Sequence, residues 1–128
     1  MYTFLFTEAA GDVTIAIEVD SPFKVLENAP IVYLRWNFSV SGSDPLKEVD
    51  FFISKEGADE YIGYLTDTKI KISSSFSARD RFTIERPATL IIRNVSASDA
   101  AKYMFTVELD SAERTQSIID LHVLGKSV

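Results

Sequence analysis

Apolar and polar residues alternate with a period of two along most of the chain, and this pattern predicts β-strands. Phe82 and Ile84 share one face of one such run, and Leu90 and Ile92 share one face of the next. Alternation of this kind is typical of strands with one buried face. Pro87 separates the two runs and cannot donate a backbone hydrogen bond, so it is expected in a turn. Since no segment sustains a helical period, the sequence predicts an all-β fold.

The other alternating runs, with turn residues between them, predict many short strands. They are residues 13–19, 23–26, 31–40, 49–53, 61–65, 69–73 and 116–124. Residues 73–77 are mostly serine and are predicted to form a polar loop. Residues 1–12 are expected to form an N-terminal arm or an extra edge strand, with alternation at 2–6. We therefore expect one domain over residues 1–125, and residues 126–128 are expected to begin a linker.

The charge of the chain excludes several classes of partner. Its 128 residues carry a net charge of −6, and the sequence pI is near 4.7. Binding to nucleic acid or to an anionic membrane depends on clustered lysine and arginine, so neither is expected. No apolar run reaches the length of about 20 residues that a membrane helix needs. Any attachment to a membrane is predicted to come from a segment outside this chain.

Few residues of the chain suggest catalysis or metal binding. There are no cysteines, which excludes thiol nucleophiles, disulfides and cysteine-based metal sites. His122 is the single histidine, and its position in the last run predicts a solvent-facing side chain. The acidic residues at 44–50 and 59–60 are predicted to lie in solvated turns. Because glycine-rich phosphate loops and a G-x-S-x-G motif are also missing, we predict no enzyme activity, no cofactor and no metal.

A motif near the C-terminal third gives the first indication of a family. Asp99-x-Ala101-x-Tyr103-x-Phe105 resembles the D-x-A-x-Y-x-C motif at the start of strand F in immunoglobulin V-set domains. Tyr103 matches the tyrosine corner of that family, and Phe105 stands at the cysteine position. Arg81 matches the arginine that pairs with the motif aspartate, so the resemblance implies an Arg81–Asp99 salt bridge.

The resemblance extends to the first half of the chain. Residues 31–39 are similar to strand B of V-set domains, and Trp36 takes the position of its cysteine. The resemblance implies a V-type β-sandwich with Greek-key connections and two antiparallel sheets, ABED and GFCC′C″. It also implies that a Trp36–Phe105 contact replaces the inter-sheet disulfide. The core residues that it implies are Trp36, Phe51, Leu90, Tyr103 and Phe105.

Strand parity then predicts a binding interface on the outer face of the GFCC′C″ sheet. Several apolar side chains with an acidic rim are expected there, a composition that marks interaction surfaces. The predicted interface residues are Phe52, Tyr61, Met104, Thr106, Glu108, Ile118, Asp120 and His122.

The resemblance implies an extracellular recognition module in a longer, membrane-anchored cell-surface receptor that binds another Ig-like domain. Cysteine-free V-like domains resemble those of allorecognition receptors in colonial cnidarians, which bind homophilically. One alternative is an intracellular, disulfide-free Ig-like scaffold module, and another is a carbohydrate-binding β-sandwich. Asn37 and Asn94 begin N-x-S sequons and are candidate N-glycosylation sites if the chain is secreted.

Overall fold

The computed structural model describes residues 5–10, 13–17, 21–42, 45–77, 81–111 and 113–125. Only the backbone is described for residues 5–10 and for Ser77. The expected linker at 126–128 lies outside the described residues. So do residues 1–4 and 11–12 of the expected N-terminal arm, residues 18–19 of the first predicted strand, and residue 20 after it.

The described residues form two β-sheets. In chain order the strands are β1 (Leu5–Ala10), β2 (Val13–Ile17), β3 (Phe23–Leu26), β4 (Ile31–Val40), β5 (Leu46–Lys55), β6 (Ala58–Leu65), β7 (Ile70–Ile72), β8 (Phe82–Glu85), β9 (Thr89–Arg93), β10 (Ala101–Leu109) and β11 (Arg114–Leu124). A short helix α1 (Ser74–Ser77) follows β7, and a 3-10 turn (Ala97–Asp99) precedes β10. The first sheet has the order β1-β2-β4-β9-β8, and the second has the order β3-β11-β10-β5-β6-β7.

This strand order confirms the predicted sandwich. Neighbouring strands are antiparallel except β3 and β11, which pair in parallel because the chain crosses from the first sheet to the second between β2 and β3. The edge strand β1 pairs with β2 and runs to Ala10, whereas the alternation in the sequence covers residues 2–6. Backbone pairing with β2 thus continues through Ala9 and Ala10, where the sequence does not alternate between apolar and polar residues.

Three aromatic rings occupy the centre of the sandwich. The rings of Trp36 on β4 and Phe105 on β10 are stacked, with centroids 5.1 Å apart and an interplanar angle of 15°. Phe51 on β5 packs against both, at 5.9 Å from Trp36 and 5.4 Å from Phe105. None of the three is more than 1% exposed. The two sheets are therefore joined at this point by aromatic contacts.

The predicted polar loop at 73–77 is wrong in one respect. Residues Ser74–Ser77 form the short helix α1, which carries Phe76 into the core at 0% exposure. The ring of Phe76 meets that of Phe82 edge-on at 5.0 Å. A single aromatic among serines has no periodicity, so alternation could not identify it as a core residue.

A salt bridge and a tyrosine join the two sheets at one end of the sandwich. Arg81 donates two hydrogen bonds to the Asp99 carboxylate, at 2.8 and 3.1 Å, and the backbone N–H of Ser96 donates a third at 2.9 Å. Burial by itself would raise the pKa of Asp99, but the bonds from Arg81 and Ser96 outweigh it and lower the pKa. The Tyr103 hydroxyl donates to the Asp99 carbonyl oxygen at 2.6 Å, which is the tyrosine-corner geometry.

Candidate interaction face

The outward-facing side chains of β5, β6, β10 and β11 form one surface, which we call the front face. Strand register places Met104 of β10 between Phe52 of β5 and Ile118 of β11. Tyr61 of β6 lies next to Phe52, beyond a register shift in that strand pair. These four predicted interface residues are therefore neighbours in one row across the sheet.

This row forms an accessible apolar centre on the front face. Tyr61 is 38% exposed and Ile118 is 39% exposed, whereas Phe52 and Met104 are half-buried. The Phe52 and Tyr61 rings pack at 5.4 Å, which holds the larger side chains together. Exposed apolar side chains that are contiguous, rather than scattered singly, are a feature of interaction sites.

Two of the predicted interface residues are much less exposed than parity suggested. Thr106 and Glu108 are on the front face, but only 7% and 6% of their surface is exposed. Arg114 lies 3.3 Å and Lys47 lies 3.7 Å from the Glu108 carboxylate. Parity determines the side of the sheet to which a residue points. It does not determine whether longer neighbouring side chains cover that residue.

Three carboxylates converge at the end of the front face that Glu108 occupies. Oxygens of Glu48, Asp50 and Glu108 lie within 4.8 Å of one another, so these residues could hold a cation. Burial raises the pKa of Asp50 to about 7, and the hydrogen bond and charge of Glu48 and the charge of Glu108 add to this effect. The Tyr61 hydroxyl donates a hydrogen bond to Asp50 at 3.3 Å, which partly offsets this rise in pKa.

The prediction that the acidic residues at 44–50 and 59–60 lie in turns is wrong for those that the structure describes, and residue 44 lies outside the described residues. Glu48 and Asp50 belong to β5, and Asp50 is 7% exposed; Asp59 and Glu60 belong to β6. A segment in which several carboxylates are mixed with other residues has the composition of a turn. Here the strand pairing of β5 with β10 brings them to the sheet surface and next to Glu108.

The opposite end of the front face carries the remaining predicted interface residues. Asp120 is half-buried and His122 is exposed, with His122 Nε2 3.4 Å from an Asp120 carboxylate oxygen. Lys102 of β10 lies beside Asp120 in the strand register and is exposed. This end therefore contains both signs of charge, and the apolar centre separates it from the carboxylates.

No family model matches the chain, and no curated protein sequence matches it. Solved structures do match. A structure of murine CRIg is 14% identical, with a TM-score of 0.66 over 86% of this chain and 98% of that chain. The first Ig-like domain of human CD48 antigen is 20% identical, with a TM-score of 0.61 over 83% of each chain.

A third match is the voltage-gated sodium channel β4 subunit, whose extracellular domains form parallel homodimers described as explaining its role in cell–cell adhesion. It is 18% identical, with a TM-score of 0.64 over 85% of this chain and 96% of that chain. The fold is an immunoglobulin V-type β-sandwich. At these identities the likeness extends to the fold alone.

The two sequon asparagines of the V-type domain are exposed. Asn37 points outward from β4 on the first sheet, away from the front face. Asn94 follows β9 with φ of 52°, a left-handed conformation that asparagine adopts more readily than most residues. Asn94 therefore has a structural reason to be asparagine, and glycosylation at either site stays a prediction.

Sequence reasoning missed four charged residues of the front face. They are Glu48, Asp50, Lys102 and Arg114. The parity that selected the apolar residues would have placed them on the same face. Their arrangement at the two ends of the face depends on the register between β5, β10 and β11, which alternation does not specify.

Asp50→Asn is expected to stabilise the V-type domain by about 1–3 kcal/mol at pH 8, with a smaller gain at lower pH. The folded-state pKa of Asp50, about 7, exceeds the unfolded value of about 3.9. The protonated carboxyl therefore contributes its full stability below that unfolded value, and the free energy of unfolding of the parent protein falls as the pH rises to 7. Urea unfolding of both proteins between about pH 4 and 8 measures the difference.

The matched control is Asp59→Asn, which neutralises an exposed carboxylate on the adjacent strand β6. We expect its difference from the parent protein to be small at every pH. If the difference between Asp50→Asn and the parent protein does not grow with pH, the Asp50 carboxyl is not perturbed in the way described.

Proposed function

We propose that this V-type domain is an extracellular recognition module of a longer cell-surface receptor and binds another Ig-like domain through its front face. The partner that we favour is a second copy of the same domain, as in self/non-self recognition. The observation that carries the proposal is the apolar centre of the front face, where Tyr61 and Ile118 are exposed beside Phe52 and Met104. Such a surface is stabilised by a protein partner that removes it from water.

Three observations support this reading over the alternatives. The sheet includes β6 and β7, which correspond to C′ and C″, strands that scaffold modules of the intermediate type usually lack. Trp36, the only tryptophan, is 1% exposed and cannot stack on a sugar. Among the similar structures, the sodium channel β4 subunit is described as a homodimer in cell–cell adhesion.

The described part of the chain contains no helix that is long and apolar enough to cross a membrane. In this proposal a segment outside the chain supplies the anchor. Expression in a secretory host, followed by mass measurement, tests whether Asn37 carries a glycan. A glycan there would leave the front face accessible, because Asn37 lies on the first sheet.

The test of the proposal is the self-association of the purified domain, measured by analytical ultracentrifugation at rising concentration. Ile118→Glu places a charge in the apolar centre, and we expect it to weaken the dimer by at least about tenfold. Ile31→Glu is the matched control, because Ile31 is 37% exposed but lies on the first sheet. We expect it to leave association unchanged.

Two results would oppose homophilic binding through this face. One is a strictly monomeric domain at millimolar concentration. The other is an equal loss of association in both isoleucine variants, which would place the contact elsewhere or indicate a nonspecific effect of the added charge.

A further inference from the structure

The neighbouring strands β10 and β11 of the front face each carry opposite charges at their two ends. Lys102 and Glu108 stand on β10, and Arg114 and Asp120 stand on β11. In each strand the two charges are six residues apart, which corresponds to about 20 Å. The antiparallel register sets Lys102 beside Asp120 and Glu108 beside Arg114. On these two strands each end therefore has one acid and one base, and their order across the sheet reverses between the ends.

The β11 charges are accessible to a partner. The Arg114 side chain is 64% exposed and the Asp120 side chain is 37% exposed. Within the domain, Arg114 is 3.3 Å from Glu108, and Asp120 is 3.4 Å from His122. The Asp120–His122 pair is exposed on both sides and contributes little to stability, so Asp120 can exchange this contact for an intermolecular one at small cost. Arg114 has further guanidinium N–H groups and can contact a partner while it keeps its bond to Glu108.

We infer that the front face binds a second copy of this chain face to face with the strands of the two copies antiparallel, which rests on the proposed homophilic function. The two-fold axis of this dimer lies between the two sheets and runs perpendicular to the strands, at the level of Phe105. It places each end of the front face against the opposite end of the front face of the other copy. Phe105 is midway between Lys102 and Glu108, and its register partner Ser117 is midway between Arg114 and Asp120.

This symmetry places unlike charges opposite each other on both strands. Arg114 of one copy faces Asp120 of the other, and Lys102 faces Glu108. Every contact occurs twice in the dimer, because the interface is isologous. Glu108 is 6% exposed, so the contact with Lys102 is made at the edge of the Arg114 and Lys47 side chains that cover it.

The other simple orientation has the two-fold axis along β10, so that the strands of the two copies are parallel. Lys102 would then face Lys102 of the second copy, and Glu108 would face Glu108. Like charges opposite each other cost binding energy, and this cost selects against the parallel orientation. An axis midway between β10 and β11 would also pair unlike charges, Lys102 with Asp120 and Glu108 with Arg114. It would, however, place Phe52 of each copy beyond β11 of the other and separate the two apolar centres. The charges disfavour the axis along β10, and the overlap of the apolar centres favours the antiparallel orientation over the axis between the strands.

The apolar centre is compatible with the antiparallel dimer. Phe52, Met104 and Ile118 share a row within one residue of the axis level, so the row of one copy lies beside that of the other. Facing sheets pack about 10 Å apart with strand directions within about 30°, which brings such side chains into contact. The dimer thus has an apolar middle and two charged ends.

Charge reversal on β11 tests the orientation. Arg114→Asp or Asp120→Arg alone is expected to weaken the dimer by about tenfold or more, since each change creates two like-charge contacts. The double variant Arg114→Asp/Asp120→Arg restores both contacts and is expected to dimerise within about threefold of the parent protein. Glu85→Arg, an exposed reversal on the first sheet, is the control and should have no effect.

Thiol cross-linking provides a second measurement, because the chain has no cysteine of its own. Facing sheets lie about 10 Å apart, too far for a direct disulfide, so a short bismaleimide is the reagent. Arg114→Cys and Asp120→Cys domains are expected to form a cross-linked dimer when they are mixed and treated with it. Each variant alone should cross-link poorly, because two copies of one position are separated by about 20 Å in the antiparallel dimer.

The outcomes separate this inference from the proposed function. If the parent protein does not self-associate, the proposed homophilic function fails. If it associates and Ile118→Glu breaks the dimer, but both single reversals are neutral, only the antiparallel orientation is overturned. A double variant that stays as weak as the single ones, or efficient cross-linking of one position to itself, also overturns the orientation.

Discussion

Trp36→Ala is expected to lower the free energy of unfolding by about 3–5 kcal/mol, enough to lower the melting temperature by roughly 10 °C or more. The indole is stacked on Phe105 at 5.1 Å and meets Phe51 edge-on at 5.9 Å, and it is 1% exposed. Removing it leaves a cavity between the two sheets, where the rings of Phe51 and Phe105 cannot collapse without moving their strands.

The control for this prediction is Trp36→Phe. Phenylalanine retains an aromatic ring against Phe105, and it removes the indole N–H, which has no hydrogen-bond partner among the described residues. We therefore expect this variant to lose less than half as much stability as the alanine variant. Urea unfolding and calorimetry measure both. An alanine variant that melts within a degree or two of the parent protein would show that the aromatic cluster does not hold the sheets together.

The size of this effect explains how the sandwich is stable without a disulfide. A disulfide between positions 36 and 105 would close a loop of about 70 residues, worth about 4 kcal/mol on the chain-entropy model. Burial of one large side chain contributes about 1.5–3 kcal/mol, and an aromatic pair adds about 0.5–1.5 kcal/mol. The stacked pair Trp36–Phe105 therefore provides a stabilisation of the same order as the covalent link.

Asp99→Ala is expected to lower the free energy of unfolding by about 2–4 kcal/mol. The carboxylate accepts two bonds from Arg81 and one from the Ser96 N–H, and its side chain is 6% exposed. Among the described residues, alanine leaves the carbonyl oxygens of Arg93 and Asn94 as the hydrogen-bond acceptors of the Arg81 guanidinium, and it leaves the Ser96 N–H without this acceptor.

The dependence on pH gives this prediction a second measurement. Because the folded-state pKa of Asp99 is lowered, its contribution is complete above the unfolded value of about 3.9 and is lost as the pH falls through the folded-state pKa. The gap between the parent protein and Asp99→Ala should therefore narrow in acid. A gap that stays constant down to pH 2 would contradict a role for the charged carboxylate.

A double-mutant cycle isolates the salt bridge from the rest of the corner. Arg81→Ala and Asp99→Ala should each be destabilising, and the double variant should lose less than their sum. The Tyr103 bond to the Asp99 carbonyl is a control within the same site, because it uses the backbone oxygen, which alanine retains. Strict additivity would mean that Arg81 and Asp99 act separately.

The sequence by itself determined the strands and the side of each strand that is buried. In β4, β5 and β10 apolar residues occupy every second position, and this pattern predicts which face of each strand packs in the core. That constraint was enough to place Trp36, Phe51 and Phe105 on inward-facing positions, where all three are buried. It was also enough to put Met104 and Ile118 on the outer face.

The tertiary structure decided what depends on neighbours from distant parts of the chain. Phe76 is a core residue only because α1 turns it towards Phe82, and its local sequence is polar. Burial in the folded domain raises the pKa of Asp50, the hydrogen bond and charge of Glu48 add to this, and the pairing of β5 with β10 brings the charge of Glu108 close as well. Alternation shows which side of its own strand a residue points to. The register between strands decides which neighbouring side chains shield that residue from water, which charges lie near it, and in what order the charges follow one another across the front face.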